Sequence, residues 1–162
     1  MGRRTILAPY KPKPRYIPKN QKHEESLQRQ VCSYLRLQYP HVIFRSDYAS
    51  GLRLTENQAR IHRSLQSGRA WPDLFIYLPR KVDGRQYAGM ALELKKEGTT
   101  IKVSRGPQKG QITANPHVRE QYYMLQALEK VGYFADFAIG FDDAINKIDY
   151  YMGKPENAAL AF

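Results

Sequence analysis

The sequence predicts an α/β fold in which a mixed central β-sheet is flanked by helices. Segments with helical periodicity alternate with short segments rich in Val, Ile, Phe and Tyr, in the order α-β-α-β-β-α-β-α. Helices that interleave with strands in this way pack on the faces of one sheet. The length of 162 residues allows one domain with a buried core, and 42% of the residues are hydrophobic, which is a globular composition.

The first two helices are predicted from apolar spacing and capping signals. Residues 23–37 carry Leu27, Val31 and Leu35 at the spacing of a buried stripe. Residues 55–67 begin with Thr55-Glu56-Asn57-Gln58, which fits a capping box that satisfies the free amides of the first turn. In this second helix Ile61 and Leu65 supply an apolar edge, and Gly68 is the expected C-terminal cap.

Two further helices are predicted in the second half of the chain. Residues 118–131 form the third, closed by Gly132. Asp142 is expected to cap the last helix, which runs to about residue 152. Its inward-facing positions are Ala144, Ile145 and Ile148.

The strands are predicted from short runs of β-branched and aromatic residues between turn signals. They cover residues 41–45, 73–78, 87–95 and 133–139. Asp83-Gly84 marks a reversal between the second and third of them. Residues 97–117 contain three glycines and two prolines without clear periodicity, so we expect a long loop there, and such loops are often functional.

Positive charge is concentrated at the N-terminus. Residues 1–22 contain seven basic residues and no acidic residue, which leaves +4 of the formal net charge of +11 for the rest of the chain. The basic residues expected to contact nucleic acid in this arm are Arg3, Arg4, Lys11, Lys13 and Arg15. A Pro-rich arm of this kind is extended and binds polyanions, DNA first among them, although a solubilising tail or a protein-docking arm has the same composition. We therefore divide the chain into an arm (1–22), a central domain (23–152) and a short tail (153–162).

Several classes of protein are excluded by composition. The single Cys32 allows neither an internal disulfide nor a cysteine zinc cluster, which favours a reducing cytoplasm. No apolar run approaches the roughly 18 residues of a membrane helix, and no signal-peptide pattern follows Met1. The four histidines are scattered without the spacing of zinc ligands. We expect no membrane association and no small organic cofactor.

A cluster of charged residues is predicted where two strands meet. Asp73 opens one strand, and Glu93-Leu94-Lys95 closes the strand that returns after Asp83-Gly84. Pairing through that turn brings Asp73 opposite Glu93 with one residue of offset, which a bulge or wider loop absorbs. Side chains alternate along a strand, so Glu93 and Lys95 share one face while Leu94 points into the core. The Leu94 carbonyl could add a backbone ligand beside the two carboxylates.

These residue types suit hydrolysis of a phosphodiester. Two carboxylates can hold a hard divalent cation, which neutralises phosphate charge and lowers the pKa of a bound water. Lys95 can orient that water or stabilise the charge that develops. A turn residue at Asp73 and an exposed ion pair between Glu93 and Lys95 would give the same sequence pattern.

The pattern resembles a known nuclease signature. Trp71-Pro72-Asp73-Leu74 and Glu93-Leu94-Lys95 look like the PD-(D/E)xK motif. The run His23-Glu24-Glu25-Ser26-Leu27-Gln28 is similar to the opening helix of VRR-NUC domains, and so is Gly132-Tyr133 after the third helix. Residues 138–151 resemble the closing strand and helix of phage-type members. The resemblance covers roughly residues 23–152 and implies a restriction-endonuclease-like core.

The resemblance also implies further site residues. An acidic residue on the first helix commonly completes the metal site in this family; Glu24 and Glu25 compete for that role, and we favour Glu24 because it shares a helix face with Leu27. The glutamine of the third helix corresponds to Gln121, which the family places beside Lys95. The chain departs from the family at Trp71, where glycine is common, and in the longer link of residues 97–117.

The resulting hypothesis is a DNA endonuclease that uses Mg²⁺ or Mn²⁺. Asp73, Glu93, Leu94 and Glu24 are the predicted metal ligands, and Lys95 and Gln121 complete the catalytic set. Lys96 and the link residues Lys102, Arg105 and Lys109 are predicted to grip a DNA backbone, although a solvated loop is equally compatible with them. The resemblance implies a homodimer that acts on branched or junction DNA in a phage-infected or prophage-carrying bacterial cell. The alternative is a non-catalytic nucleic-acid-binding or assembly protein on the same scaffold.

Overall fold

A computed structural model describes residues 19–47 and 55–154, with side chains from Ser26 onward in the first helix. The predicted arm residues Arg3, Arg4, Lys11, Lys13 and Arg15 lie outside the described residues. The side chains of Glu24 and Glu25 also lie outside the description, although both residues belong to the first helix.

The described residues form four helices and six strands. The helices are α1 (Lys19–Gln38), α2 (Glu56–Ser64), α3 (Pro116–Lys130) and α4 (Gly140–Met152). The strands are β1 (Phe44–Ser46), β2 (Leu74–Ile76), β3 (Arg80–Val82), β4 (Arg85–Tyr87), β5 (Gly89–Lys95) and β6 (Tyr133–Ile139). The predicted order holds, with one insertion: β3 and β4 form a separate hairpin where a single turn was expected.

The central sheet is mixed. Its four strands lie in the order β1-β2-β5-β6; β2 pairs in antiparallel with both β1 and β5, and β5 pairs with β6 in parallel. The parallel pair requires a crossover, which α3 supplies. Strand β5 therefore lies in the interior of the sheet, and every side chain on it from Gly89 to Leu94 is buried.

The register of the hairpin confirms the one-residue offset expected from the sequence. Arg80 lies opposite Tyr87 in the small hairpin, whereas Ile76 lies opposite Met90 in the central sheet. Three residues (77–79) separate Ile76 from Arg80, whereas two residues (88–89) separate Tyr87 from Met90. The register of the central sheet is therefore shifted by one residue from that of the hairpin. Because Leu74 pairs with Leu92, this shift places Asp73 next to Glu93 rather than next to Leu94.

Helices cover both faces of the sheet. The larger core lies under α1 and α4, where Leu35, Leu92 and Ile148 are fully buried. The smaller core lies on the opposite face under α3, where Leu125 packs with Phe137. The alternation of β5 sends Leu92 and Leu94 into the first core, so Glu93 faces the α3 side of the sheet.

Helix α2 corrects one expectation, that of its C-terminal cap. The predicted capping box is present, since Thr55 Oγ1 accepts from the Gln58 amide and Gln58 Oε1 accepts from the Thr55 amide. The helix ends with Leu65 rather than Gly68 as its cap. The apolar edge of the helix is not buried: Ile61 and Leu65 are 51% and 78% exposed, and α2 has no buried residue.

One other local prediction is also wrong. Asp142 does not cap α4, because the helix begins at Gly140 and Asp143 Oδ2 accepts instead from the amide of Ile139.

The link between β5 and α3 contains no helix or strand, so the predicted long loop is confirmed, but it has internal backbone pairing. Lys102 and Ile112 form a β-bridge, and Thr113 donates from its amide to the Ile101 carbonyl at 3.0 Å, so the segment folds back as a hairpin.

The predicted α/β class with a mixed, helix-flanked sheet is confirmed. Among the described residues, no helix has both the length and the apolar character that crossing a membrane requires. Other boundaries move by a few residues; α1 begins at Lys19 rather than at residue 23, and β1 begins at Phe44 rather than at residue 41.

Candidate metal centre

Asp73 immediately precedes Leu74, the first residue of β2. Its carboxylate is held at both oxygens: Gln28 Nε2 donates to Oδ1 at 3.1 Å and the Leu94 amide donates to Oδ2 at 2.9 Å. Its backbone carbonyl accepts from the Ser46 hydroxyl and from the Asp47 amide. The position of this carboxylate is therefore fixed from α1, from β1 and from β5 at once.

Glu93 is a carboxylate in the interior of the sheet, with only 3% of its surface exposed. It lies opposite Phe137 of the parallel strand β6, on the face covered by α3. Glu93 and Gln121 are the two buried polar or charged residues in the described part of the chain. Burying an ionisable group is costly unless it is paired, so Glu93 requires compensating contacts.

Lys95 and Gln121 supply those contacts. Lys95 Nζ donates to Glu93 Oε1 at 2.8 Å, and both side chains are largely buried. Gln121 Nε2, from the first half of α3, donates to the same oxygen. The sequence prediction that Lys95 shares a face with Glu93 and lies near Gln121 agrees with these contacts.

The environment of Glu93 favours its protonated form. The pKa of Glu93 is raised to about 8, first by burial and then by the negative charge of Asp73, which also hydrogen-bonds to the protonated carboxyl. The opposing effect of Lys95, through its charge and its hydrogen bond, is too small to restore the ordinary pKa. Two carboxyl groups that repel each other in a buried place are suited to a bound cation.

The backbone of Leu94 points toward the same place. Its amide donates to Asp73, and the amide and carbonyl of one strand residue point toward the same neighbouring strand. Strand β2 pairs with β5 only as far as Leu92, so the Leu94 carbonyl extends past the end of that ladder, on the side of Asp73. This orientation agrees with the predicted backbone ligand.

His117 and Gln28 are site neighbours that the sequence did not assign. His117 Nε2 lies 3.0 Å from Gln121 Nε2; since the amide nitrogen only donates, the ring nitrogen is the acceptor in this contact. The histidines do not have the spacing of metal ligands. His117 and Gln121, however, are four residues apart on one helix, and this spacing predicts that their side chains meet. Gln28 is 45 residues from Asp73, and nothing local in the sequence indicates that contact.

The predicted DNA-backbone contacts that fall within the described residues lie at the surface. Lys96, Lys102, Arg105 and Lys109 are exposed. Among the described side chains, which cover residues 26–47 and 55–154, no group of three His, Cys, Asp or Glu has metal-binding geometry. Asp73 and Glu93 therefore form a two-carboxylate site within the described residues, and the third carboxylate predicted from α1 lies in the part whose side chains are not described.

A comparison with solved structures matches a protein described as a VRR_NUC domain protein. The match has a TM-score of 0.53 and 22% sequence identity, and it covers 82% of this chain and 90% of that one. This chain has the VRR-NUC fold. The sequence itself matches no family model and no curated protein, so the three-dimensional comparison carries the assignment.

The VRR-NUC fold is PD-(D/E)xK-like, so the resemblance noted from the motifs is confirmed at the level of the fold. In this chain Glu93 and Lys95 lie at the C-terminal end of the interior strand β5, and Asp73 lies directly before the neighbouring strand β2. Trp71 differs from the usual glycine before Pro-Asp. Its ring packs 6.0 Å from Phe75, and its indole nitrogen is buried without a partner among the described residues.

Proposed function

We propose that this chain is a divalent-metal-dependent endonuclease that hydrolyses DNA phosphodiester bonds. The observation that carries the proposal is the buried carboxyl of Glu93, pressed against Asp73 and hydrogen-bonded by Lys95 and Gln121. A purely structural ion pair gains nothing from a second carboxylate beside it, because the repulsion destabilises the fold. The VRR-NUC fold supports the same conclusion, since it is a nuclease-family fold.

The residues present fit Mg²⁺ or Mn²⁺. Asp73, Glu93 and the Leu94 carbonyl offer hard oxygen donors, the ligands that these ions prefer. Gln121 Oε1 is buried without a donor among the described residues, which leaves an acceptor free beside the pair. Glu24 is the proposed third carboxylate from α1, with Glu25 as the other candidate. When bound, the cation supplies charge neutralisation at the phosphate and acidifies a water.

The chain's own side chains do the positioning. Lys95 holds its ammonium 2.8 Å from Glu93 Oε1 and is the proposed donor that orients the attacking water and stabilises charge on the phosphate. Gln121 fixes Glu93 from the other side, and His117 fixes Gln121. Gln28 sets the rotation of the Asp73 carboxylate.

The finer features of the proposal rest on the resemblance and on charge. The arm residues Arg3, Arg4, Lys11, Lys13 and Arg15, together with Lys96, are proposed DNA-backbone contacts. A homodimer, a preference for branched or junction DNA and the phage-type setting in a bacterial cytoplasm stay predictions, each open to its own test. Sedimentation of the purified chain tests the dimer.

Cleavage assays test the proposal. Supercoiled, linear and four-way-junction DNA are incubated with the wild-type protein and Mg²⁺ or Mn²⁺, and Asp73→Asn and Lys95→Ala are assayed in parallel. We expect metal-dependent cleavage by the wild type and losses of at least roughly a hundredfold in both variants. Asn at position 73 keeps the size of the side chain and one acceptor oxygen, which can accept from the Leu94 amide. Its amide nitrogen only donates, so the contact with Gln28 Nε2 is lost while the strand pairing is retained.

The outcomes separate the activity from the site. If the wild type cuts none of the substrates with any metal, the endonuclease proposal fails. If the wild type cuts and both variants cut equally well, the activity stands and the assignment to Asp73 and Lys95 is wrong.

A further inference from the structure

The hairpin between β5 and α3 is a basic projection next to the candidate metal centre. We call residues 101–113 the wing. From position 98 to position 119 the sequence contains no acidic residue, and the exposed basic side chains of the wing are Lys102, Arg105 and Lys109. Every residue from Ser104 to Gly110 at its tip is exposed.

Backbone hydrogen bonds and apolar packing at the base order the wing. The Val103 amide donates to the Gln111 carbonyl, and the Gly110 amide donates to the Val103 carbonyl, both at 2.8 Å. Ile101 at the base is 8% exposed and packs with Val118 and Phe137. Beside this base lies a groove of about 520 Å³, bordered by the wing, α3 and β6. The tip is therefore presented from a fixed base.

Both ends of the wing connect to residues of the centre. It follows Lys95 by six residues and precedes α3, which carries Gln121. Its anchor Phe137 is the register neighbour of Glu93 across β5 and β6. The paired part of the wing is short: Lys102 bridges to Ile112, and turns form the tip. The wing therefore follows the strand end that carries Lys95 and leads into the helix that carries Gln121.

The side-chain composition of the wing favours double-stranded over single-stranded nucleic acid. Single strands are commonly gripped by aromatic side chains on which bases stack, and positions 98–119 contain no Phe, Tyr or Trp. Separated Lys and Arg side chains on a rigid hairpin instead suit the regularly spaced phosphates of a duplex. We propose that the wing is a duplex-DNA clamp, which holds a double-stranded segment beside the cleaved bond through Lys102, Arg105 and Lys109.

This inference rests on the proposed function, and a binding experiment separates the two. Affinity for duplex and for single-stranded DNA of equal length is measured without metal, as a function of salt. The wing variant Lys102→Gln/Arg105→Gln/Lys109→Gln is compared with the control Lys81→Gln/Arg85→Gln/Lys130→Gln. The control removes the same charge from exposed residues at the opposite end of β5, where Ala88 donates to the Gly132 carbonyl.

We expect the wing variant to lose at least tenfold in duplex affinity near 0.1 M salt. The slope of log affinity against log salt should become shallower by about 2 to 3, since each lost phosphate contact contributes about 0.9. Single-strand affinity should change much less, and the control should keep the wild-type slope. Equal losses in the wing and control variants, or equal losses on duplex and single strand, would overturn the clamp.

Failure of the clamp and failure of the nuclease have different signatures. If the wing variant binds duplex as tightly as wild type while the wild type cuts DNA, the clamp is wrong and the nuclease stands. If the wild type cuts no DNA while the wing variant loses duplex affinity selectively, the nuclease is wrong and the clamp stands.

Discussion

At the scale of single residues, the centre is a set of carboxylates held under electrostatic strain. Glu93 is buried and lies beside Asp73, so each negative charge opposes the other, and Lys95 compensates only in part. Such an arrangement lowers the stability of the metal-free protein at neutral pH. Functional sites commonly carry this kind of cost, and its removal stabilises the fold while it abolishes activity.

The first prediction concerns Glu93→Gln in the metal-free protein. The folded pKa of about 8 is above the ordinary 4.5, so the fold favours the protonated carboxyl. Wild-type stability should therefore fall as pH rises from about 4.5 to about 8, while the variant lacks this decline. Thermal melts in a chelator should show the variant more stable at pH 8, on the order of 2 kcal/mol, with little difference near pH 5.

Several charged or titratable groups surround this position. They are Asp73, Lys95 and, through Gln121, His117, and they are common to the variant and the wild type. Glu120→Gln, an exposed substitution on α3, serves as the control and should track the wild type. Parallel melting curves for the Glu93 variant and the wild type across this pH range would contradict the strain described here.

The second prediction concerns Gln28 as a positioning residue. Its amide bridges the Asp73 carboxylate and the Asp47 carbonyl, so Gln28→Ala should leave Asp73 free to rotate. We expect metal affinity or turnover to fall by roughly 10–100-fold, the usual effect of removing a group that orients a metal ligand. Calorimetric titration of Mn²⁺ measures the first effect and plasmid nicking measures the second.

The matched control for Gln28 lies two positions further along α1. Gln30 is exposed, so Gln30→Ala removes the same side chain from the same helix without touching Asp73. A Gln28 variant that binds Mn²⁺ and cuts DNA like the Gln30 variant would show that the bridge has no role in the centre.

At the scale of elements, a cluster of polar contacts joins α1 to α4 behind the sheet. The Tyr34 and Tyr39 hydroxyls both donate to Asp149 Oδ1 at 2.7 Å, and Lys154 lies 4.8 Å from the centre of the Tyr39 ring. Burial and Asp149 hold the pKa of both tyrosines above its ordinary value, so they remain donors. This cluster fixes α1, which carries Gln28, against the sheet.

The third prediction is that this cluster stabilises the fold. Tyr39→Phe should lower the free energy of unfolding by about 1.5 kcal/mol, and Asp149→Ala by about 2–3 kcal/mol because it leaves two hydroxyls without their acceptor. Urea denaturation measures both changes. Tyr123→Phe, at a position that is 64% exposed, is the control and should stay within about 0.5 kcal/mol of wild type. A Tyr39 variant as stable as this control would show that the cluster does not stabilise the fold.

At the scale of the whole molecule, the topology explains why the centre lies where it does. The interior strand β5 carries Glu93 and Lys95, β2 begins directly after Asp73, and the two helices on opposite faces contribute Gln28 and Gln121. Strand ends in the interior of a sheet bring side chains from several elements together. The wing then extends from the same edge as the centre.

Much of this arrangement follows from local sequence signals. The Asp83-Gly84 turn and the alternation along residues 87–95 were enough to place Asp73 beside Glu93 with one residue of offset. The Thr55 capping box was equally readable, because a capping box depends on residues within one turn of helix. The charged motif could be placed because a hairpin is a short-range structure.

Other features depend on what covers a surface, which periodicity does not reveal. Ile61 and Leu65 have helical spacing, yet both are exposed. The two glycines and the proline of the wing concealed the alternation of Ile101 and Val103, and its pairing is held by backbone bonds rather than by a long apolar run. Gln28 was not assigned because its partner comes from a distant strand.

The central claim is that Lys95, beside Glu93 and Asp73, belongs to a metal-dependent nuclease centre. The most direct measurement is the rate of nicking of supercoiled DNA with Mn²⁺ by the wild type, by Lys95→Ala and by the exposed control Lys81→Ala. We expect the nicking rate of Lys95→Ala to fall at least roughly a hundredfold and that of Lys81→Ala to stay unchanged, with both variants folded. Equal nicking rates in all three proteins, or no metal-dependent nicking by the wild type, would contradict it.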